Sequence, residues 1–189
     1  MLNRKTAARL LLALMLTTGA AGAWAQSAAA SSDQVVSSQV ILGGQAKFVA
    51  PPGYIKVRAK ETGSMVQTSY QNAATKHGFV TTDGVAQADL AGAAFRTMID
   101  TYEAKQRRAM QSYSEMGSKN LKIAGFDGAQ RDVQGTVEGK FGGKAILRTT
   151  TFVASGDRYF FVVTISPADD AANHQDFATT LQRGISAAR

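Results

Sequence analysis

The residues with reactive side chains are few. The chain has no cysteine and only two histidines, His77 and His174. Without cysteine there are no disulfides, thiolate zinc sites, iron–sulfur clusters or thiol nucleophiles. His174 follows Asp170 by four residues, with Asp176 close by, so a helix there would present a carboxylate and an imidazole on one face. That donor pair suits a hard or borderline metal. The same acids also suit a helix N-terminus, and His174 then flanks an apolar stripe beside Phe177. We read the second, and assign no metal ligands and no cofactor. Ser64 and Ser69 have no spacing relation to His77, and there is no G-x-S-x-G elbow. Glu103, Glu115 and Glu138 are scattered and form no carboxylate pair for glycosidic chemistry. The glycine-rich run Gly135–Lys144 lacks a P-loop pattern and lies between two strands, so it reads as a hairpin turn. No catalytic residue is assigned.

What remains is charge. Lys105, Arg107 and Arg108 cluster near the end of a long amphipathic segment, with Lys119 and Lys122 just beyond. Arg131, Lys140, Lys144 and Arg148 add bases further on. Lys105, Arg107, Arg108, Lys119 and Lys122 are the candidate partner-binding patch, suited to an acidic envelope protein or another anionic envelope component. The bland alternative is the solvated face of a helix. Nucleic acid is not expected, because no base-reading or stacking motif accompanies the bases. Five tyrosines, Tyr54, Tyr70, Tyr102, Tyr113 and Tyr159, could bring hydroxyls to a cleft between sheet and helix.

The first 25 residues set the address. Arg4, Lys5 and Arg9 precede the short apolar run Leu10–Leu16, and a small-residue tail ends Ala23-Trp24-Ala25. This is the order of a secretory signal peptide cleaved between Ala25 and Gln26. Seven strongly apolar residues fall far short of the ~20 needed to span a bilayer. Residues 1–25 hold three of the 21 bases and none of the 14 acids, so cleavage lowers the net charge from +7 to +4. It also removes Trp24, the only tryptophan. Residues 26–38 form a leader rich in Ala, Ser and Gln, and 39–189 a single domain, exported to the periplasm or medium.

The elements that must position the patch follow from periodicity. Val40–Leu42 and Ala46–Val49 read as a hairpin about Gly43-Gly44, stopped by Pro51-Pro52-Gly53. Tyr54–Val57, Met65–Gln71 and Gly78–Thr82 read as further strands. From Asp89, Leu90, Phe95, Met98, Ile99, Tyr102, Ala109, Met110 and Tyr113 recur at helical steps, predicting a helix of roughly 25 residues that ends near Gly117. Glu103 falls off that stripe. A β-meander follows. Its last strand, Arg158–Ser166, has Tyr159, Phe161, Val163 and Ile165 on one face and Phe160 and Val162 on the other, as in a central strand covered on both sides. Ser166-Pro167 then reads as the start of a terminal helix carrying Phe177, Leu181 and Ile185.

Three segments resemble the PsbP-like/Mog1-like family, which includes small exported, DcrB-like bacterial proteins. They are Phe48-Val49-Ala50-Pro51-Pro52-Gly53-Tyr54, Leu121 to Ala129 (LKIAGFDGA) and Arg158 to Ile165 (RYFFVVTI). Tyr54 stands where the family usually has Trp. The resemblance implies an α+β fold, an antiparallel sheet covered by helices on both faces, and a binding or accessory role rather than catalysis. A cystatin-like or NTF2-like curved sheet with a helix is the alternative fold. The expected function is an exported, soluble, non-catalytic binding or accessory protein of the bacterial envelope. The alternatives are a small-molecule binder with a cleft between sheet and helix, and an envelope hydrolase, which would need at least two of His77, His174 and an acid or serine within hydrogen-bond reach.

Overall fold

A computed structural model describes residues 37–75, 77–137 and 143–188. The segments expected to be signal peptide and most of the leader, and Glu138 and Lys140 of the glycine-rich run, lie outside the described residues. Among the described residues, ten strands build two antiparallel sheets, accompanied by two α-helices. The large one has the order β3-β4-β5-β9-β8-β7-β6, and the small one β1-β2-β10. The strands are β1 (Ser38–Ile41), β2 (Ala46–Val49), β3 (Tyr54–Thr62), β4 (Met65–Asn72), β5 (Gly78–Val85), β6 (Ser112–Ile123), β7 (Phe126–Thr136), β8 (Ala145–Ser155), β9 (Arg158–Pro167) and β10 (Ile185–Ala187). Helix α1 spans Ala93–Ala109 and α2 spans Ala171–Arg183.

β9 is the fourth of seven strands, as its doubly apolar pattern requires. Phe161 and Val163 face α1, where Phe95 and Ile99 pack with Ala129, Phe152 and Ala154. Phe160 and Val162 face the other way, into a core closed by Phe48, Leu181 and Ile185. One face is therefore covered by a helix. The other is covered by α2 together with the small sheet, an extra layer that the sequence reading did not contain. Fully burying each such Phe, Leu or Ile side chain contributes about 1.5–3 kcal/mol. Aromatic contacts knit this second core: Tyr70 stacks on Phe79 at 4.6 Å, and Phe48 meets Phe160 at 5.4 Å. Polar bonds dock the small sheet. Gln39 Oε1 accepts from Tyr70 and Thr81, and the Leu42 amide donates to Asp83.

The hairpin turns follow the sequence. Ala124 (φ 53) and Gly125 (φ 90) form the two-residue loop between paired Ile123 and Phe126. Both positive angles fit a type I′ turn, whose twist matches the strands. At the outer edge, β3 is blunted by exposed Lys56, Arg58 and Lys60 and by a bulge between Lys56 and Arg58.

The ends of both helices differ from expectation. Helix α1 stops at Ala109, and Tyr113 belongs to β6. Met110 takes extended angles (φ −105, ψ 145), and Ser112–Thr136 pairing starts a ladder there, so sheet pairing overrides the helical spacing. Glu103 lies on the buried face of α1, one turn after Ile99. The terminal helix begins after Asp170, because Ser166 and Pro167 still pair with Leu147 and Ile146 in the β9–β8 ladder. It ends at Arg183, which places Ile185 in β10 paired with Phe48 of β2.

Candidate functional site

Two polar assemblies lie back to back on β7 and β8. Alternation along β8 sends Arg148 and Thr150 toward α1 and Thr149 toward α2.

On the α1 side, Arg148 is 1% exposed and Glu103 is 9% exposed. The Arg148 Nη2 donates to Glu103 Oε2 in a buried, charge-assisted bond. Tyr113, returning on β6, donates to the same carboxylate oxygen at 2.9 Å. Its ring carries the Arg107 guanidinium at 4.6 Å, and the Tyr102 ring stands 5.9 Å from the Arg148 guanidinium. Burial, with Glu103 accepting its proton, pushes the Tyr113 phenol up. Complete burial pushes Tyr102 up to about 12. Both phenols are therefore neutral at physiological pH. Arg148, grouped with the surface bases in the sequence reading, is instead a core residue. Its inward direction was legible, because it shares a strand face with Ile146 and Phe152.

Over this pair opens a groove of about 460 Å³ between α1 and the β6–β7 edge. Arg107, Arg108 and Arg131 line it, as do Asp100, Glu115 and Ser118. Glu103 also reaches its wall, but Arg148 offsets its charge. Of the sequence-predicted patch, Arg107 and Arg108 come together here, joined by Arg131. Lys105 is exposed on α1 outside the lining. Lys122 is paired with Asp127 at 2.6 Å. Lys119 follows Ser118 in β6, so alternation turns it to the opposite face. The patch is thus a groove whose arginines come from α1 and β7.

On the α2 side, a chain of side-chain hydrogen bonds crosses the sheet. Tyr54 Oη lies 3.0 Å from His77 Nδ1, and His77 Nε2 lies 3.2 Å from Ser166 Oγ. Ser166 Oγ lies 3.0 Å from His174 Nδ1, and His174 Nε2 lies 3.0 Å from Thr149 Oγ1. Thr149 donates to Asp132 Oδ1 at 2.6 Å, and Gln130 Nε2 donates to both Asp132 oxygens. Desolvation lowers the pKa of both histidines, against the opposing pull of Asp170 on His77 and of Asp132 and Asp170 on His174.

This arrangement meets one condition for a hydrolase, since both histidines reach one serine. Substrate access is missing, because Ser166 is 2% exposed and none of these residues lines the groove. Sequence alone did not signal the meeting: Ser166 was read at the start of the terminal helix, and His77 had no spacing relation to any serine. The β5–β9 register, with Phe79 opposite Thr164, is what carries His77 to Ser166. Nor do the tyrosines converge. Tyr102 and Tyr159 pack on the α1 side, whereas Tyr54 and Tyr70 belong to the core under the small sheet. Among the described residues, no group of three or more His, Asp or Glu is placed to hold a metal, and no helix is long and apolar enough to cross a membrane.

No family model matches the chain, and no curated protein matches it in sequence. Solved structures do. The cyanobacterial PsbP protein CyanoP of Synechocystis sp. PCC 6803 is similar at a TM-score of 0.57 and 10% identity, over 86% of this chain and 98% of that one. LpqN of Mycobacterium tuberculosis, described as involved in cell envelope biogenesis, gives 0.47 and 11%, over 84% and 88%. A Pseudomonas aeruginosa protein of unknown function, PA94, gives 0.48 and 12%, over 72% and 88%. With its helix-covered antiparallel sheet, the chain has a PsbP/Mog1-like α+β fold.

Proposed function

We propose that the chain is an exported, non-catalytic binding or accessory protein of the bacterial envelope, and that it engages an acidic partner or anionic envelope component through the α1–β6–β7 groove. The observation that carries this reading is the gathering of Arg107, Arg108 and Arg131 around one groove, over a buried Glu103–Arg148 pair. Arginine suits such a role because its planar fork pairs carboxylate or phosphate oxygens two at a time. Stacking on Tyr113 holds Arg107 partly ordered before binding, which reduces the entropy lost on contact. Asp100 and Glu115 in the same lining select against a uniformly anionic surface and favour a partner of defined charge pattern. The signal-peptide pattern of residues 1–25 supports export, and the burial of Ser166 supports a role without catalysis.

The test is Arg107→Glu combined with Arg108→Glu, followed by cross-linking in the native envelope and identification of captured molecules. The reading expects capture by the wild type and its loss in the variant at unchanged circular dichroism. Equal capture by both proteins would remove the groove from the mechanism.

A further inference from the structure

The hydrogen positions in the α2-side chain follow from its partners. Asp132 only accepts, so Thr149 spends its single proton on it. Thr149 must then accept from His174, which fixes the proton of that ring on Nε2. His174 Nδ1 is left as an acceptor for Ser166, whose proton is thereby used. Ser166 in turn accepts from His77 Nε2, and His77 Nδ1 accepts from Tyr54. The donors all point one way, from Tyr54 on β3 to Asp132 on β7, and both histidines are neutral Nε2–H tautomers. Every ring nitrogen is occupied.

We infer that this chain is a pH-released latch holding α2 and β10 against the large sheet. A proton added to His174 enters at Nδ1, where the Ser166 hydroxyl already points. Ser166 would then face two N–H donors while its own proton lost its acceptor, in a site almost closed to water. A proton added to His77 displaces the Tyr54 phenol in the same way. Charging both rings places two cations on one shared hydroxyl. The charged and titratable groups facing the pair are Asp132 from β7, Asp170 at the start of α2 and Tyr54 from β3. β8 and β9 contribute the neutral Thr149 and Ser166, and the Ile165 backbone carbonyl, which also favours a charged His77. Both carboxylates favour the charged rings, yet desolvation outweighs them in each histidine. The two bonds made by His174, to Ser166 and Thr149, join α2 to the sheet, and a charged His77 acts on them through the shared Ser166. The chain leads from α2 directly into β10, whose ladder to β2 and whose Gly184 carbonyl bond to the Val49 amide close the small sheet. Opening α2 therefore loosens that cover, while α1 on the opposite face keeps its own core.

Hydrogen exchange on the purified protein tests this. The open state titrates with the ordinary histidine pKa near 6.5 and the closed state resists, so opening gains up to about tenfold per histidine between pH 7.5 and 5.5, and up to about a hundredfold if both respond. After correction for intrinsic rates, amides of residues 171–187 should lose protection by that factor, while those of 93–109 stay level. His174→Gln should reduce the response. Unchanged protection of α2, or a parallel loss in α1, would overturn the latch. A second readout needs no variant: nitrogen chemical shifts at pH 7.5 should report Nε2–H for both rings, and an Nδ1–H tautomer in either would overturn the assigned direction.

Discussion

Removing Glu103 should be among the most damaging single changes in this protein, although Glu103 contributes no apolar surface. Glu103→Ala leaves the Arg148 guanidinium 1% exposed and without its counter-ion. Its Nε and Nη1 already lack a protein partner among the described residues, as does Glu103 Oε1, so nothing nearby can take over. Breaking a buried pair by deleting one member costs about 3–5 kcal/mol, much of it the penalty of an uncompensated charge. That is a large share of the ~5–15 kcal/mol typical of a whole fold. For a chain of this length it corresponds to a fall in Tm of about 6–20 °C, at ~2–4 °C per kcal/mol. Replacing both partners by apolar residues, Glu103→Leu with Arg148→Met, should recover most of the loss, because the desolvation cost of both charges disappears with them. The assay is urea unfolding followed by circular dichroism, with the m-value checked for constancy. A loss below about 1 kcal/mol in Glu103→Ala, the range of an exposed pair, would refute the claim that the Arg148 charge is sealed in the core. So would a double variant no more stable than the single one.

Gly184→Ala should destabilise by about 1–3 kcal/mol, because a Cβ there would stand 2.5 Å from the Val49 carbonyl oxygen, a backbone atom with little freedom to give. Gly184 has φ −66, so the cost is steric and not conformational, and chemical denaturation would measure it. Stability should fall on acidification. His77 and His174 have folded pKa values lowered by desolvation, so the stability they carry is complete above about pH 6.5 and is lost as pH drops toward their folded values. Urea midpoints at pH 7.5 and 5.5 should show a loss that shrinks in His174→Gln; identical midpoints in the wild type would contradict it. Protein processed after Ala25 should emit tyrosine but no tryptophan fluorescence, because Trp24 is the only tryptophan. A tryptophan band in the mature protein would place the cleavage elsewhere.

The strands and the central position of β9 were legible because two-residue alternation survives wherever a sheet face is buried. The Gly43-Gly44 pair and the glycine-rich run Gly135–Lys144 marked where the chain reverses. The end of α1 was not legible. Tyr113 sits at helical spacing from Tyr102, Ala109 and Met110, and it does reach the helix, but from β6 after a chain reversal, through its bond to Glu103. Local periodicity cannot separate those two routes to one contact. Glu103 and Arg148 were read as surface charges; strand alternation carries the direction of Arg148, but the ion pair is visible only when both partners are placed. Arg107 and Arg108 were legible as a patch, being neighbours on one element. Arg131, which completes the groove, comes from β7, and Lys119 leaves it because a strand alternates where a helix would not. The two histidines met through the register of β5 on β9 and the start of α2 at Asp170. Neither is encoded in residue spacing.

The groove is the centre of the functional account, and site-specific photo-crosslinking in living cells addresses it most directly. A photoreactive residue at Ser118, within the groove, is compared with one at Lys60 on the exposed β3 edge. The account predicts a discrete adduct from position 118, absent from position 60, and lost when Arg107→Glu and Arg108→Glu are introduced in the same chain. Adducts from position 60 alone, or an adduct at 118 indifferent to the two arginines, would contradict it.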